Sequence, residues 1–246
     1  MTRIPTLLLS VLLTLLAHTT HGQAAILVLI FGDKAATENF HFTLDAGLNL
    51  SRMPGVEGTT GAHGFNFGLG TYIKLNEDWA FTPEFKPLSP KGGNGFERAF
   101  IDTSGTVGSY ATRLALNYID VPLQMHRRIG ERLYVRAGPQ VSFLTSGKLA
   151  TTGDLVGGDE FTVTKDIQDD LEPIELSVPV DLGVVFTKPR GFKGIDLRVR
   201  YCFGLSEVFK ENALGISSTN STLQFFLSFP FVNVDPAPTT DPATPR

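Results

Sequence analysis

Cysteine is almost missing: Cys202 stands alone, so no intrachain disulfide can form. Its place on the polar face of a strand pattern reads as a small packed residue. Tryptophan occurs once. Beyond the first segment no apolar run approaches ~20 residues, which excludes a transmembrane helix from the mature chain. Positive charge is not in excess: the net charge of −4 argues against nucleic acid as a partner. Charged residues make up 19% of the chain, below the usual ~25%. No metal-ligand spacing and no cofactor motif is present, so none is expected to be bound. Gly157-Gly158-Asp159-Glu160-Phe161 spells a nucleotide-cyclase hallmark, but nucleotide-binding elements do not surround it and it reads as coincidence.

Glycine (25) and phenylalanine (19) are abundant, and mean hydropathy is near zero. Residues 1–22 look like a signal peptide: Arg3 supplies the positive end, Leu7 to Leu16 the apolar region, and Thr19-Thr20-His21-Gly22 the polar stretch before cleavage after Gly22 or, alternatively, Ala24. A short periplasmic segment, 23–39, would follow. Its apolar stretch Ala24 to Phe31 is too short to span; it would be a helix under or inside the rest of the fold, or a segment on the membrane surface.

From residue 40 the chain alternates. In Phe40-His41-Phe42-Thr43-Leu44-Asp45-Ala46-Gly47-Leu48-Asn49-Leu50 every even position is apolar. Successive strand side chains point to opposite faces, so the segment has one apolar and one polar face. The pattern recurs at 64–75, 79–88, 110–126, 133–144, 174–186, 195–206 and 219–231. In 110–126 it changes phase, from Leu114, Leu116 and Tyr118 to Ile119, Val121, Leu123 and Met125, which predicts a β-bulge. Short connections (76–78, 127–132, 187–194) alternate with long ones (51–63, 89–109, 145–173, 207–218). Together these predict an all-β fold over 40–231: an eight-stranded antiparallel transmembrane β-barrel, apolar outside and polar inside. Tight turns on the periplasmic side and an even strand number put both termini in the periplasm, with outer-membrane lipid around the wall. Residues 232–246 form a Pro-rich tail, read as disordered.

Aromatic residues are expected at both membrane interfaces. Phe40, Phe42, Trp79, Phe81, Phe186, Phe229 and Phe231 would ring the periplasmic rim, and Phe65, Phe67, Phe85, Phe143 and Phe203 the outer one. Five prolines inside the strands (Pro83, Pro87, Pro122, Pro139, Pro179) cut the other way, since proline cannot donate to a ladder. They keep open a soluble sandwich or a secreted lipocalin-like barrel with the apolar face inward.

Tyr118-Ile119-Asp120-Val121-Pro122-Leu123, a short turn, and Leu133-Tyr134-Val135-Arg136-Ala137-Gly138-Pro139 resemble the PorT-like outer-membrane β-barrel family. Its members carry a Y-[I/L]-[D/E]-[I/V]-P-L strand followed by a [L/F]-Y-[V/I]-x-A-G-P strand. The resemblance implies a porin-like barrel of about eight strands across roughly 38–231, makes Pro122 and Pro139 family features, and carries a link to protein secretion.

On the polar face stand Asp45, Glu84, Asp120, Glu175, Asp181 and Asp196 against Lys74, Lys86, Arg113, Arg136, Arg198 and Arg200. The interior of an eight-stranded barrel is just wide enough for side chains to fill. The balanced signs predict a paired ionic lumen with no wide channel; a narrow solute path is the alternative. Catalysis finds little support. His41 and His126 fall at the periplasmic ends of their strands, and only His63, with Ser51 or Glu57 near it in sequence, offers a candidate constellation for a barrel enzyme. Acidic residues in 145–173 (Asp154, Asp159, Glu160, Asp166, Asp169, Asp170, Glu172) match no ordered calcium loop. The expected role is structural or interaction-based, with a protein partner in the periplasm or at the cell surface; a small porin-like pore is the first alternative.

Overall fold

The computed structural model describes residues 37–56, 58–95, 107–155, 160–190, 193–211 and 217–232. The signal peptide, the stretch 24–36, the tail from 233 and Gly157-Gly158-Asp159 lie outside the described residues. Among the described residues, ten strands form one sheet: β1 (Phe40–Arg52), β2 (Thr60–Lys74), β3 (Trp79–Asn94), β4 (Val107–Ile129), β5 (Leu133–Ala137), β6 (Gln140–Leu155), β7 (Glu160–Asp166), β8 (Ile174–Arg190), β9 (Lys193–Gly204) and β10 (Ser221–Phe231). Every pairing is antiparallel, and the sheet closes through β1–β10 and β3–β4. Gly138-Pro139 separates β5 from β6, which together act as one stave. β7 pairs only with β6, as an arm beyond the ring. The ring therefore has eight staves.

The wall has the expected polarity. Leu48, Phe65, Phe85, Leu182, Leu197 and Phe225 are exposed on its outside, Leu182 by 58%, while Asp45, Glu84, Lys86, Arg198 and Arg200 are buried inside. A lipocalin-like barrel needs the reverse and is excluded. The prolines are accommodated in separate ways. Pro139 sits in the break between β5 and β6, and Pro87 in a register shift between Lys86 and Ser89. Pro83, Pro122 and Pro179 stay in register opposite Leu123, Gln140 and Cys202.

The strands outrun their sequence patterns at the loop end. β3 continues to Asn94, β6 to Leu155, and β7 occupies part of what reads as the loop 145–173. The phase switch expected in β4 does not occur. Thr112, Leu114, Leu116, Tyr118, Asp120, Gln124 and His126 are all buried on one side. What changes along β4 is the polarity of the lumen, apolar at the loop end and polar below. Near the expected switch the irregularities lie in its neighbours, at Lys86/Ser89 on β3 and opposite Asn117/Tyr118 on β6. Two consequences follow for charge: Arg113 is exposed on the outer surface, and Lys91 points into the lumen in its place.

Glycines thin the wall where aromatic rings lie against it. Gly183 pairs with Tyr134, and a Cβ built on Gly183 would fall inside that ring. The ring has little room to move: His126 stacks on it at 4.6 Å, the Arg136 guanidinium lies 4.8 Å from its centroid, and its hydroxyl donates to Asp196 Oδ2 at 3.4 Å. Gly183→Ala is expected to cost ~1–3 kcal/mol. A lower temperature for loss of the fast-migrating folded band on a gel would register it.

Candidate functional site: the filled lumen

The inward side chains form successive layers, because each stave contributes every second residue. At the mouth near the short turns, His41 stacks on Tyr72 at 4.7 Å, Tyr72 meets His126 edge-on at 5.4 Å, and His126 stacks on Tyr134. Arg136 Nε donates to His126 Nδ1 at 3.2 Å. These groups line an open hollow of about 340 Å³ that Asp196 also borders. On the turn beside it Lys74 Nζ donates to Glu77 at 2.8 Å and holds that carboxyl below its ordinary range.

The next layer is an ionic cluster centred on Glu84. One carboxylate oxygen accepts from Arg136 Nη1 at 3.3 Å and from Arg198 Nη1; the other accepts from Arg200 Nη2 at 2.8 Å and lies 3.3 Å from Lys86 Nζ. Asp45 Oδ2 takes Arg198 Nη2 at 2.5 Å and Lys86 Nζ at 3.4 Å. Asp181 is gripped by Arg200 through Nε at 2.7 Å and Nη2 at 2.9 Å, and Gln124 Nε2 donates to it at 3.1 Å. This fork-to-fork geometry is the strong form of a charged hydrogen bond. Phe226 forms the floor, with Lys86 Nζ 3.9 Å, Arg198 4.7 Å and Arg200 5.2 Å from its ring centroid. Opposite it on β1 is Gly47, where a Cβ would come within 2.7 Å of the ring.

A second cluster follows towards the loop end. Lys91 Nζ donates to Glu175 Oε1 at 2.7 Å and Ser142 Oγ at 3.2 Å, lies 3.3 Å from Asp120, and stands 4.5 Å from the Tyr118 ring centroid. Asn220 Nδ2 donates to the other Glu175 oxygen at 2.6 Å. Cations outnumber carboxylates four to three around Glu84 (Lys86, Arg136, Arg198, Arg200; Asp45, Glu84, Asp181), and carboxylates outnumber cations two to one around Lys91. The two excesses cancel along the lumen, which limits the cost of burying so many charges.

An apolar plug completes the filling. Leu114, Leu116, Tyr118, Leu149 and Met53 pack with Ile167, Leu171, Val208 and Phe209. The last four belong to two connections that fold inward and bond to each other. Leu171 and Phe209 form a bridge, Glu172 N donates to Val208 O at 2.9 Å, and Lys210 N to Asp170 O at 3.0 Å.

The residues singled out from sequence thus fall into distinct places. Asp45, Glu84, Lys86, Arg136, Asp181, Arg198 and Arg200 meet in one cluster. Asp120 and Glu175 belong to the other, and Asp196 bonds Tyr134 at the mouth. Lys91 and Phe226 are additional members that sequence reasoning passed over. The alternation of β10 already placed residue 226 on the inner face; nothing local marked its cationic neighbours. Trp79 and Phe186 are exposed, Phe81 and Phe229 half-buried, and Phe231 is buried in register with Phe42. Arg127 stacks over Trp79 at 5.3 Å. Ser51 is buried on the lumen side while His63 is exposed on the outside, so the two do not form a catalytic pair; Glu57, the other candidate partner, lies outside the described residues. Among the described residues no three His, Cys, Asp or Glu side chains converge on a metal position.

A family model described as outer membrane protein beta-barrel domain matches residues 33–210. The chain belongs to that family. Its membership places the protein in the outer membrane, in accord with the apolar outer wall. Solved outer-membrane proteins resemble the fold at low sequence identity. Neisserial surface protein A is 14% identical over 78% of this chain and 97% of its own, with a TM-score of 0.39. OprG from Pseudomonas aeruginosa is 11% identical over 81% and 99%, with a TM-score of 0.39. Ail of Yersinia pestis is 17% identical over 76% and 97%, with a TM-score of 0.34. No curated protein matches the chain.

Proposed function

We propose that this protein is a closed outer-membrane scaffold, oriented with both termini in the periplasm, that works by engaging a protein partner through its turns, loops or tail. The filled lumen carries this reading: two ionic clusters and an apolar plug occupy the space a solute would need. A packed ionic core also favours one arrangement of staves over its slipped alternatives, which suits a platform that must hold surface segments in place. The PorT-like motif of β4 and β5 supplies a candidate partner class, a protein-secretion assembly.

Purified protein in planar bilayers is expected to conduct no more than the bare membrane. Sustained single-channel steps from the unmodified protein would overturn the scaffold reading in favour of a small pore. Cross-linking in intact cells then identifies the partner. Protease accessibility of an epitope placed at the C-terminus, protected until the outer membrane is permeabilised, tests the orientation.

A further inference from the structure

The wall is interrupted at the seam between β2 and β3, beside the Lys91 cluster. β2 and β3 pair at Gly61–Gly93 and again at Phe67–Leu88, with no register pairs between. The cause is local to β3. Pro87 and Pro90 have no N–H to donate, and Gly92 turns the strand with φ 118°. Side chains of β1 reach across the lapse: Asn49 Nδ2 donates to Pro90 O at 3.0 Å, and Ser51 Oγ to Gly92 O at 2.8 Å. A cavity of about 130 Å³ occupies this place. Ser51 and Lys91 border it from the lumen side, and His63, Arg113 and Asn117 from the outside.

Its height on the barrel is informative. On the outer surface the large apolar side chains end at Leu50, Phe65, Leu88 and Ile119, and the next outward positions are Arg52, His63, Pro90 and Asn117. The outer rim of the cavity therefore lies at the edge of the apolar belt, where lipid headgroups lie. Among the described residues, no carboxylate stands on the outer surface of β1–β4 at this level. Lys91, at the floor, is already held by Glu175 and Asp120, which leaves Arg113 as the rim charge that faces a ligand.

We propose that this cavity seats the phosphate of an anionic bilayer lipid headgroup. The space equals that of about four waters, enough for a phosphate group while the acyl chains stay on the apolar wall below. Arg113 matches a phosphate with its planar fork, His63 adds a second donor, and Asn117 an amide N–H. With the orientation proposed above, the lipid belongs to the outer leaflet.

The test is the midpoint temperature of the folded gel band for protein in zwitterionic detergent micelles, titrated with phosphatidylglycerol. For the unmodified protein the midpoint is expected to rise and saturate, with phosphatidylcholine giving no such rise. The double variant Arg113→Gln/His63→Gln should need at least about ten-fold more phosphatidylglycerol for half the effect, the consequence of losing a charged hydrogen bond. Arg132→Gln, an exposed cation on the turn between β4 and β5 at the opposite end of the barrel, should leave the titration unchanged. If the double variant does not fold, Arg113→Lys keeps the charge, loses the fork and should still weaken the response. An unchanged titration in the Arg113 variants, an equal loss in Arg132→Gln, or full reproduction of the shift by inorganic phosphate overturns the proposal, the last by making this a site for a soluble anion. Conductance does not enter this experiment, so its failure and that of the scaffold reading are separable.

Discussion

Glu84→Gln is expected to destabilise the barrel by ~3–5 kcal/mol, the usual cost of breaking a buried ion pair from one side. Glu84 is nearly fully buried and takes four cations onto two oxygens. Glutamine keeps the shape and one acceptor oxygen but removes the charge. Lys86, Arg136, Arg198 and Arg200 are then left with Asp45 and Asp181 alone, four cations against two carboxylates in a layer with little access to water. Denaturant titration of the protein refolded in lipid vesicles, followed by the gel shift, measures the loss. A change below ~1 kcal/mol would mean that water screens the cluster, which would contradict a filled lumen. The double variant Glu84→Gln/Arg136→Gln should recover part of the stability, because it removes one of the surplus cations. These residues share one network, so their effects will not add.

Phe226→Ala should cost a similar ~3–5 kcal/mol. The ring is 3% exposed and fills the space left by Gly47, so truncation opens a cavity against the wall. It also takes away the aromatic face beneath Lys86, Arg198 and Arg200. Phe226→Leu separates the two contributions. It restores much of the volume and none of the π face, and its remaining deficit, ~1–2 kcal/mol, reports the cation–π part. Equal stability of the Leu variant and the unmodified protein would show that the ring acts by volume alone.

Much of this molecule is legible along the chain. Alternation at period two separates a lipid face from an inner face along most of each stave, because a strand has no other way to display its side chains. Loop lengths order the two ends, and the near balance of inner charges anticipates a paired lumen. The five prolines within the alternating patterns look like objections to a sheet, yet of these only Pro139 and Pro87 coincide with breaks in it; Pro83, Pro122 and Pro179 stay in register.

The errors share one origin. Periodicity says which residues share a face, and it names the face only if polarity is constant along it. In β4 polarity is not constant: Leu114 and Leu116 look like lipid-facing residues and are lumen residues, because segments 167–171 and 208–209 fold in to cover them. That covering is a contact between distant parts of the chain, and no local pattern records it. Arg113 faces outward because the phase of β4 is unbroken, and Lys91 faces inward because a one-residue slip in β3 reverses every side chain beyond it. Alternation alone thus determined that the chain makes a two-faced sheet long enough to close. Closure and stagger of the staves decided that Glu84 of β3 meets Arg198 and Arg200 of β9 and Arg136 of β5, because in a barrel the charges that meet are set by register around the ring rather than by distance along the sequence.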